Sequence, residues 1–219
     1  MREAIAAEAV VELFATADAI DRHPDLASGA SEISGKDAAA LSQTVTPQGL
    51  VAVCELRRPD LADVMAAAPR LLVVLFEPND PGNLGTIIRT ADAAGADAVV
   101  IEGGVDPYNG KAVRSSAGSL FHLPVVSAAA AEVFAAAASM TKLAATGHGD
   151  IDLDSLERSG ALAVPTAWLF GTEAHGLPRA LIVAADHAVG IPIYGRAESL
   201  NLASAAAVCL YASARAQRG

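Results

Sequence analysis

The chain has 219 residues, of which 53% are hydrophobic and 4% aromatic, and 15 Lys+Arg stand against 25 Asp+Glu for a formal net charge of -10. That apolar content excludes a disordered chain. The acidic balance excludes attraction of the whole molecule to nucleic acid, so any RNA or DNA contact needs a local basic patch. The length suits one large domain, or one domain with a smaller companion. Cys54 and Cys209 form no CxxC pair, and no Cys/His cluster has metal-ligand spacing; neither a disulfide framework nor a metal is expected. The start, Met-Arg-Glu-Ala, lacks a signal-peptide pattern, and no apolar run has the length of a membrane span. A cytoplasmic protein with no membrane partner is expected.

Taken in order, the chain opens on a helix-like stretch, Glu3–Glu8. Short apolar runs then read as strands at Val10–Ala15, Leu50–Cys54, Leu71–Phe76, Ala98–Ile101, Pro124–Val126, Lys142–Thr146, Val164–Phe170 and Ala188–Ile191. Segments of helical length lie between several of them, including the Ala-rich stretch Ala128–Ala138. This alternation predicts an α/β fold with a mainly parallel sheet. Leu71–Phe76 is apolar without interruption, as expected of a strand covered on both faces. A domain break falls between Arg57 and Pro69. Residues 1–58 read as a small α/β unit, incomplete at its start, 59–70 as a linker helix and 71–219 as the main domain.

Three loops carry chemical information. The first, Glu77–Asn83, leaves a buried strand and enters a helix over Leu84–Ala94, with Asn83 placed to cap it and Arg89 inside it. The flanking Ile87, Ile88 and Ala91 suggest a partly buried guanidinium, which would need a partner. The second, Gly171-Thr-Glu-Ala-His-Gly-Leu-Pro178, follows another strand; Gly171 and Gly176 allow close backbone approach or positive φ, and Glu173 lies between them. The third runs from Ile191 through Ser199 and Asn201 into a helix apolar on nearly every side, which must be buried or lie in an interface. No GxGxxG follows a strand, and GxSxG, HExxH and a complete phosphate loop are absent.

The order and content of these loops resemble the three signature motifs of the SpoU/TrmH-type RNA ribose 2'-O-methyltransferases of the SPOUT superfamily. The first matches through Asn83 and Arg89, the second through Gly171–Pro178, and the third through Ile191-Pro-Ile and Ser199-Leu-Asn-Leu-Ala203. Lys111-Ala-Val-Arg-Ser-Ser-Ala-Gly118 resembles the family's basic, serine-rich helix. The likeness covers about residues 70 to 216, and the first unit looks like the family's ribosomal-protein-like substrate-binding domain, truncated.

The resemblance implies a knotted, mainly parallel sheet with a C-terminal deep trefoil knot, a rare departure from ordinary chain topology. It implies S-adenosylmethionine as cofactor, held by Thr146, Gly147, Leu169, Gly171, Ile191, Leu200 and Ala203. Asn83, Arg89, Glu173, Ser199 and Asn201 become the catalytic candidates, with Glu173 orienting Arg89. Lys111, Arg114, His122 and Arg196 become the RNA-binding candidates. A homodimer built on the last helix is expected, with Arg89 reaching the partner's site. The expected substrate is RNA, most simply 23S rRNA. The alternatives are a tRNA-directed enzyme and a noncatalytic RNA-binding or ribosome-assembly protein on the same scaffold.

Overall fold

The computed structural model describes residues 1–42, 44 and 46–219, which divide into two compact units, Met1–Arg57 and Arg58–Gly219. The first unit contains α1 (Arg2–Ala6), β1 (Val10–Ala15), α2 (Ala17–Arg22), β2 (Ser31–Glu32), α3 (Gly35–Ser42) and β3 (Leu50–Cys54). Its sheet has the order β2-β1-β3, with β1 parallel to β2 and antiparallel to β3. Ala4, Ala9, Ala15, Ala19 and Ala38 are its buried centre, so helix and sheet approach closely without large side chains.

The second unit begins with α4 (Leu61–Ala66), the segment expected as a linker, which Asp60 caps and whose Val64 packs into a core beside the main sheet. There follow β4 (Leu71–Phe76), α5 (Pro81–Ala94), β5 (Ala98–Glu102), α6 (Gly110–Ser115), β6 (Val125–Ser127), α7 (Ala130–Ala136), β7 (Thr141–Thr146), β8 (Ile151–Asp152), α8 (Leu153–Ser159), β9 (Thr166–Phe170), α9 (Arg179–Ala184), β10 (His187–Gly190) and α10 (Leu202–Arg218). The seven strands are all parallel, in the order β6-β5-β4-β9-β7-β10-β8.

Strand parity divides the interior into two layers. Leu71, Val73 and Leu75 of β4 face one core, with Ile87, Ile88 and Leu210 of the helices; Leu72, Val74 and Phe76 face the other, with Val64 and Val133. All six β4 side chains are buried, and each such residue contributes about 1.5–3 kcal/mol relative to exposure. β9 sends Trp168 and Phe170 to the first layer and Ala167 and Leu169 to the second. The Trp168 indole N–H donates to Ser213 Oγ at 2.9 Å, so its one polar atom is satisfied inside the core.

Two features position the loops. At β4 the sheet order reverses: the chain builds β5 and β6 on one side, then crosses to β7 and β9 on the other. Open α/β sheets place ligands at the carboxyl ends of strands beside such a reversal. Second, β10 lies between β7 and β8, although those two strands are joined by residues 147–150 alone. The joining segment passes over the carboxyl end of β10 so closely that a Cβ on Gly149 would fall 2.1 Å from the Gly190 nitrogen.

Candidate active site at the carboxyl edge of the sheet

The turn into α5 is built by Asp80 and Pro81. Pro81 fixes the first helical φ, and Asp80 Oδ1 accepts from Gly82 N at 2.6 Å. The helix therefore starts before Leu84, and Asp80 caps it in place of Asn83. That leaves the half-buried Asn83 side chain free to act elsewhere.

The turn after β9 is closed by the Thr172–Gly176 bridge, with Thr172 N donating to Gly176 O at 3.2 Å and Gly176 N returning to Thr172 O at 2.9 Å. Gly176 has φ +66°, and a Cβ on Gly171 would lie 2.0 Å from the Gly176 carbonyl carbon. The two glycines serve the two purposes expected of them, close approach at Gly171 and positive φ at Gly176.

The third loop ends at Asn201, whose Oδ1 caps α10 by accepting from Ala203 N at 2.9 Å and Ser204 N at 3.4 Å. Backbone N–H groups can only donate, so the Asn201 Nδ2 is the group that faces outward. It donates to Asn83 Oδ1 at 3.1 Å. Asn83 Nδ2 in turn donates to Glu173 Oε1 at 3.0 Å. The same carboxylate accepts from Asn79 N at 3.3 Å and Asp80 N at 3.4 Å. One polarised chain thus joins the three loops, and each bond's direction is fixed by the α10 N-terminus. Desolvation pushes the Glu173 carboxyl up, but the hydrogen bonds from Asn83 and the Asn79 and Asp80 backbone outweigh it and hold the group below the ordinary carboxylate range.

Beside this chain lies a cavity of about 560 Å³ at the carboxyl ends of β7, β9 and β10. Thr146, Gly147, Gly171, Ile191 and Leu200 line it, as do Glu173, Ser199 and Asn201. Leu169 and Ala203 do not. Leu169 has the wrong strand parity and packs into the opposite core; its neighbour Phe170 forms the wall. Ala203 lies in the first turn of α10, where its N–H meets Asn201, and Ala205 lines the cavity instead. His148, in the loop expected beside the cofactor's methionine part, also lines it, as do His175, Leu177 and Ile193 of the matched motifs, and Ile182 and Glu198. For Leu177 the signal was its place directly after Gly176, and for Ile193 its place in the Ile191-Pro-Ile match; for Ile182 the sequence carries none.

The residues present fit S-adenosylmethionine. Apolar walls from Phe170, Leu177, Ile191 and Leu200 suit an adenine, and the volume is that of an ordinary ligand site. Thr146 Oγ1 is buried without a hydrogen-bond partner among the described residues. An orphaned buried hydroxyl is costly unless a ligand satisfies it.

Arg89 is placed differently from expectation. Leu84, Ile87, Ile88 and Ala91 form the buried stripe of α5, and Arg89 lies off that stripe, exposed. It makes no hydrogen bond or ion pair among the described residues, so Glu173 holds Asn83 rather than Arg89 within this chain. Of the RNA-binding candidates, Lys111 Nζ is 2.8 Å from Asp80 Oδ1 and His122 Nδ1 is 2.9 Å from Asp92 Oδ2. Arg114 and Arg196 are exposed.

The profile of the SpoU rRNA Methylase family matches residues 70–211. The chain is 39% identical over 175 residues to 23S rRNA (guanosine(2553)-2'-O)-methyltransferase RlmP of Bacillus subtilis, covering 78% of this chain and 67% of that protein. It is 39% identical over 178 residues to 23S rRNA (uridine(2479)-2'-O)-methyltransferase of Streptomyces viridochromogenes, covering 77% of this chain but only 61% of that relative's length. The crystal structure of the SpoU methyltransferase AviRb from Streptomyces viridochromogenes in complex with AdoMet superposes with a TM-score of 0.81 at 33% identity, over 98% of this chain and 86% of that one. Matched through all three site loops, the chain belongs to the SpoU rRNA methylase family.

Proposed function

We propose that the chain is an S-adenosylmethionine-dependent RNA ribose 2'-O-methyltransferase acting on 23S rRNA. The observation that carries this reading is the hydrogen-bonded chain Asn201–Asn83–Glu173 at the rim of a cavity containing the unsatisfied Thr146 hydroxyl. The names and AdoMet-bound form of the relatives support the same chemistry and substrate.

When bound, S-adenosylmethionine supplies an electrophilic methyl group on a sulfonium. The protein must align a ribose 2'-oxygen with it and assist loss of the hydroxyl proton. Thr146 and the Gly171 backbone would hold the cofactor, and Ser199 with Asn201 would complete the polar frame. Glu173, kept ionised, holds Asn83 and the start of α5 in register. A guanidinium is a poor general base, so the role assigned to Arg89 is to fix a substrate phosphate and stabilise charge developing on the oxygen.

A homodimer would give Arg89 its target, since an exposed guanidinium without a partner among the described residues is available to a partner's cavity. Support comes from α10, whose Ala206, Cys209 and Leu210 are buried while Val208 and Tyr211 are 41% and 43% exposed on the opposite face. The trefoil knot is supported by β10 lying between two strands whose connection crosses it at Gly149. The first unit is assigned to RNA selection and the protein to the cytoplasm.

The test is Arg89→Ala, assayed with tritiated cofactor and an unmodified 23S rRNA transcript. Methylation is expected to vanish while cofactor binding by calorimetry stays at the parental level. Near-parental turnover overturns the assignment.

A further inference from the structure

The loop between β10 and α10 presents an aromatic ring for which the mechanism above has no use. Tyr194 is 87% exposed, the most exposed large hydrophobic side chain among the described residues. It is also fixed: its hydroxyl donates to Asp154 Oδ2 at 2.6 Å, and that bond to Asp154 raises the phenol pKa and keeps the ring neutral. A tether to α8 therefore holds a flat apolar face in solvent. The preceding residue, Ile193, lines the cavity, and so do Glu198 and Ser199 further along the loop. Between them, Arg196 is exposed and makes no hydrogen bond or ion pair among the described residues.

We propose that Tyr194 is a stacking platform for an RNA base at the cavity mouth, with Arg196 contacting the adjoining phosphate. The inference rests on the methyltransferase reading and deepens it by naming how the nucleotide is held. Sequence-specific RNA recognition takes single-stranded nucleotides whose unstacked bases lie on aromatic side chains, and a nucleotide offered to the cavity in that way needs a new π-face. Aromatic stacking is sequence-tolerant and requires no positive field. That matters in a chain of net charge -10, in which two of the four basic candidates are already occupied by Asp80 and Asp92. Glu198 in the cavity lining and Asp154 at the ring's hydroxyl would oppose a purely electrostatic grip, whereas a neutral ring is indifferent to them. Tethering contributes further, because a ring already fixed loses little side-chain freedom on binding.

The test compares the full chain with Tyr194→Ala, Tyr194→Phe and Arg196→Ala. The readouts are KM for an unmodified 23S rRNA transcript, the cofactor Kd by calorimetry, and molecular mass by light scattering. Tyr194→Ala is expected to raise the RNA KM about 5- to 150-fold, the range of one base–aromatic stack, with cofactor Kd and mass unchanged. Tyr194→Phe, which keeps the π-face and loses only the tether, is expected to stay much nearer the parent. Arg196→Ala should make the dependence of log KM on log salt shallower by about 0.7, the value for one single-strand phosphate contact, a slope Tyr194→Ala leaves alone. An unchanged KM in Tyr194→Ala overturns the proposal. So does a KM change that comes with altered mass, which assigns the ring to a second copy, or with weakened cofactor binding, which assigns it to loop structure. If the parent methylates no RNA, the methyltransferase reading falls instead. Filter binding of a radiolabelled single-stranded oligoribonucleotide then decides the stacking claim alone, and equal retention by parent and Tyr194→Ala ends it.

Discussion

Asn201 performs two tasks with one amide: its oxygen caps α10, and its nitrogen reaches Asn83. The two can be separated. Asn201→Ala removes both and is expected to cost about 0.5–2 kcal/mol from the lost cap, read as a thermal midpoint lower by about 2–4 °C per kcal/mol in a chain of this size. Asn201→Asp keeps the acceptor and loses the donor, so calorimetry should find a near-parental midpoint but weaker cofactor binding. Glu173 carries a pH signature. Desolvation raises its folded pKa, but hydrogen bonds from Asn83 and from the Glu173, Asn79 and Asp80 backbone outweigh it and depress the value, so its contribution is complete above the ordinary carboxylate range. That contribution fades as pH falls through the depressed value. The midpoint difference between parent and Glu173→Gln is therefore expected to be largest at neutral pH and to shrink in acid; a difference constant with pH would contradict it. Much of this was legible in the sequence, because Asn83, Glu173 and Asn201 stand on glycine-marked loops after strands. The Asn83 cap was misread because Asp80-Pro81 three residues earlier is the stronger start signal. Arg89 was read as half-buried from its immediate neighbours, whereas helical period places Leu84, Ile87, Ile88 and Ala91 inside and Arg89 off that stripe.

Among elements, the α5–α6 contact depends on one missing side chain. A Cβ on Gly85 would lie 2.3 Å from the Ala112 carbonyl oxygen and 2.9 Å from the Ser116 nitrogen, both backbone. Gly85→Val must push α6 away and is expected to destabilise by about 1–3 kcal/mol, the usual cost of overpacking, read as a lower urea midpoint. Lys111 sits on α6 and pairs with Asp80, so the displacement would also loosen the turn that presents Asn79 and Asp80 to Glu173. The longer strands were legible for a related reason. Val10–Ala15, Leu50–Cys54 and Leu71–Phe76 have the bounds read from apolar runs. β2 and β8 escaped notice because two residues are too few to show a period. The Leu169 side chain lies outside the cavity lining by parity: a one-residue step along β9 exchanges one core for the other.

At the scale of the whole molecule, the proposed function gives an acidic chain an RNA substrate, so exposed loop side chains rather than net charge would have to hold it. The same scale holds the proposed dimer. Tyr211→Arg places a charge on the exposed face of α10 and is expected to halve the mass found by light scattering, with loss of turnover if Arg89 serves the partner's cavity. An unchanged mass would remove that face from the interface. Long-range order, such as β10 inserting between β7 and β8, was not readable from local pattern, since no short window records which strand lies beside which. The resemblance implied a knot but no strand order, so it did not supply this arrangement either. The buried Trp168 has a practical consequence. It is the single tryptophan of the chain, and its ring lies 6.2 Å from that of Phe170, which forms part of the cavity wall. Its indole emission consequently reports from one known site, one side chain behind the cavity wall, and offers a label-free optical titration of whatever occupies the cavity.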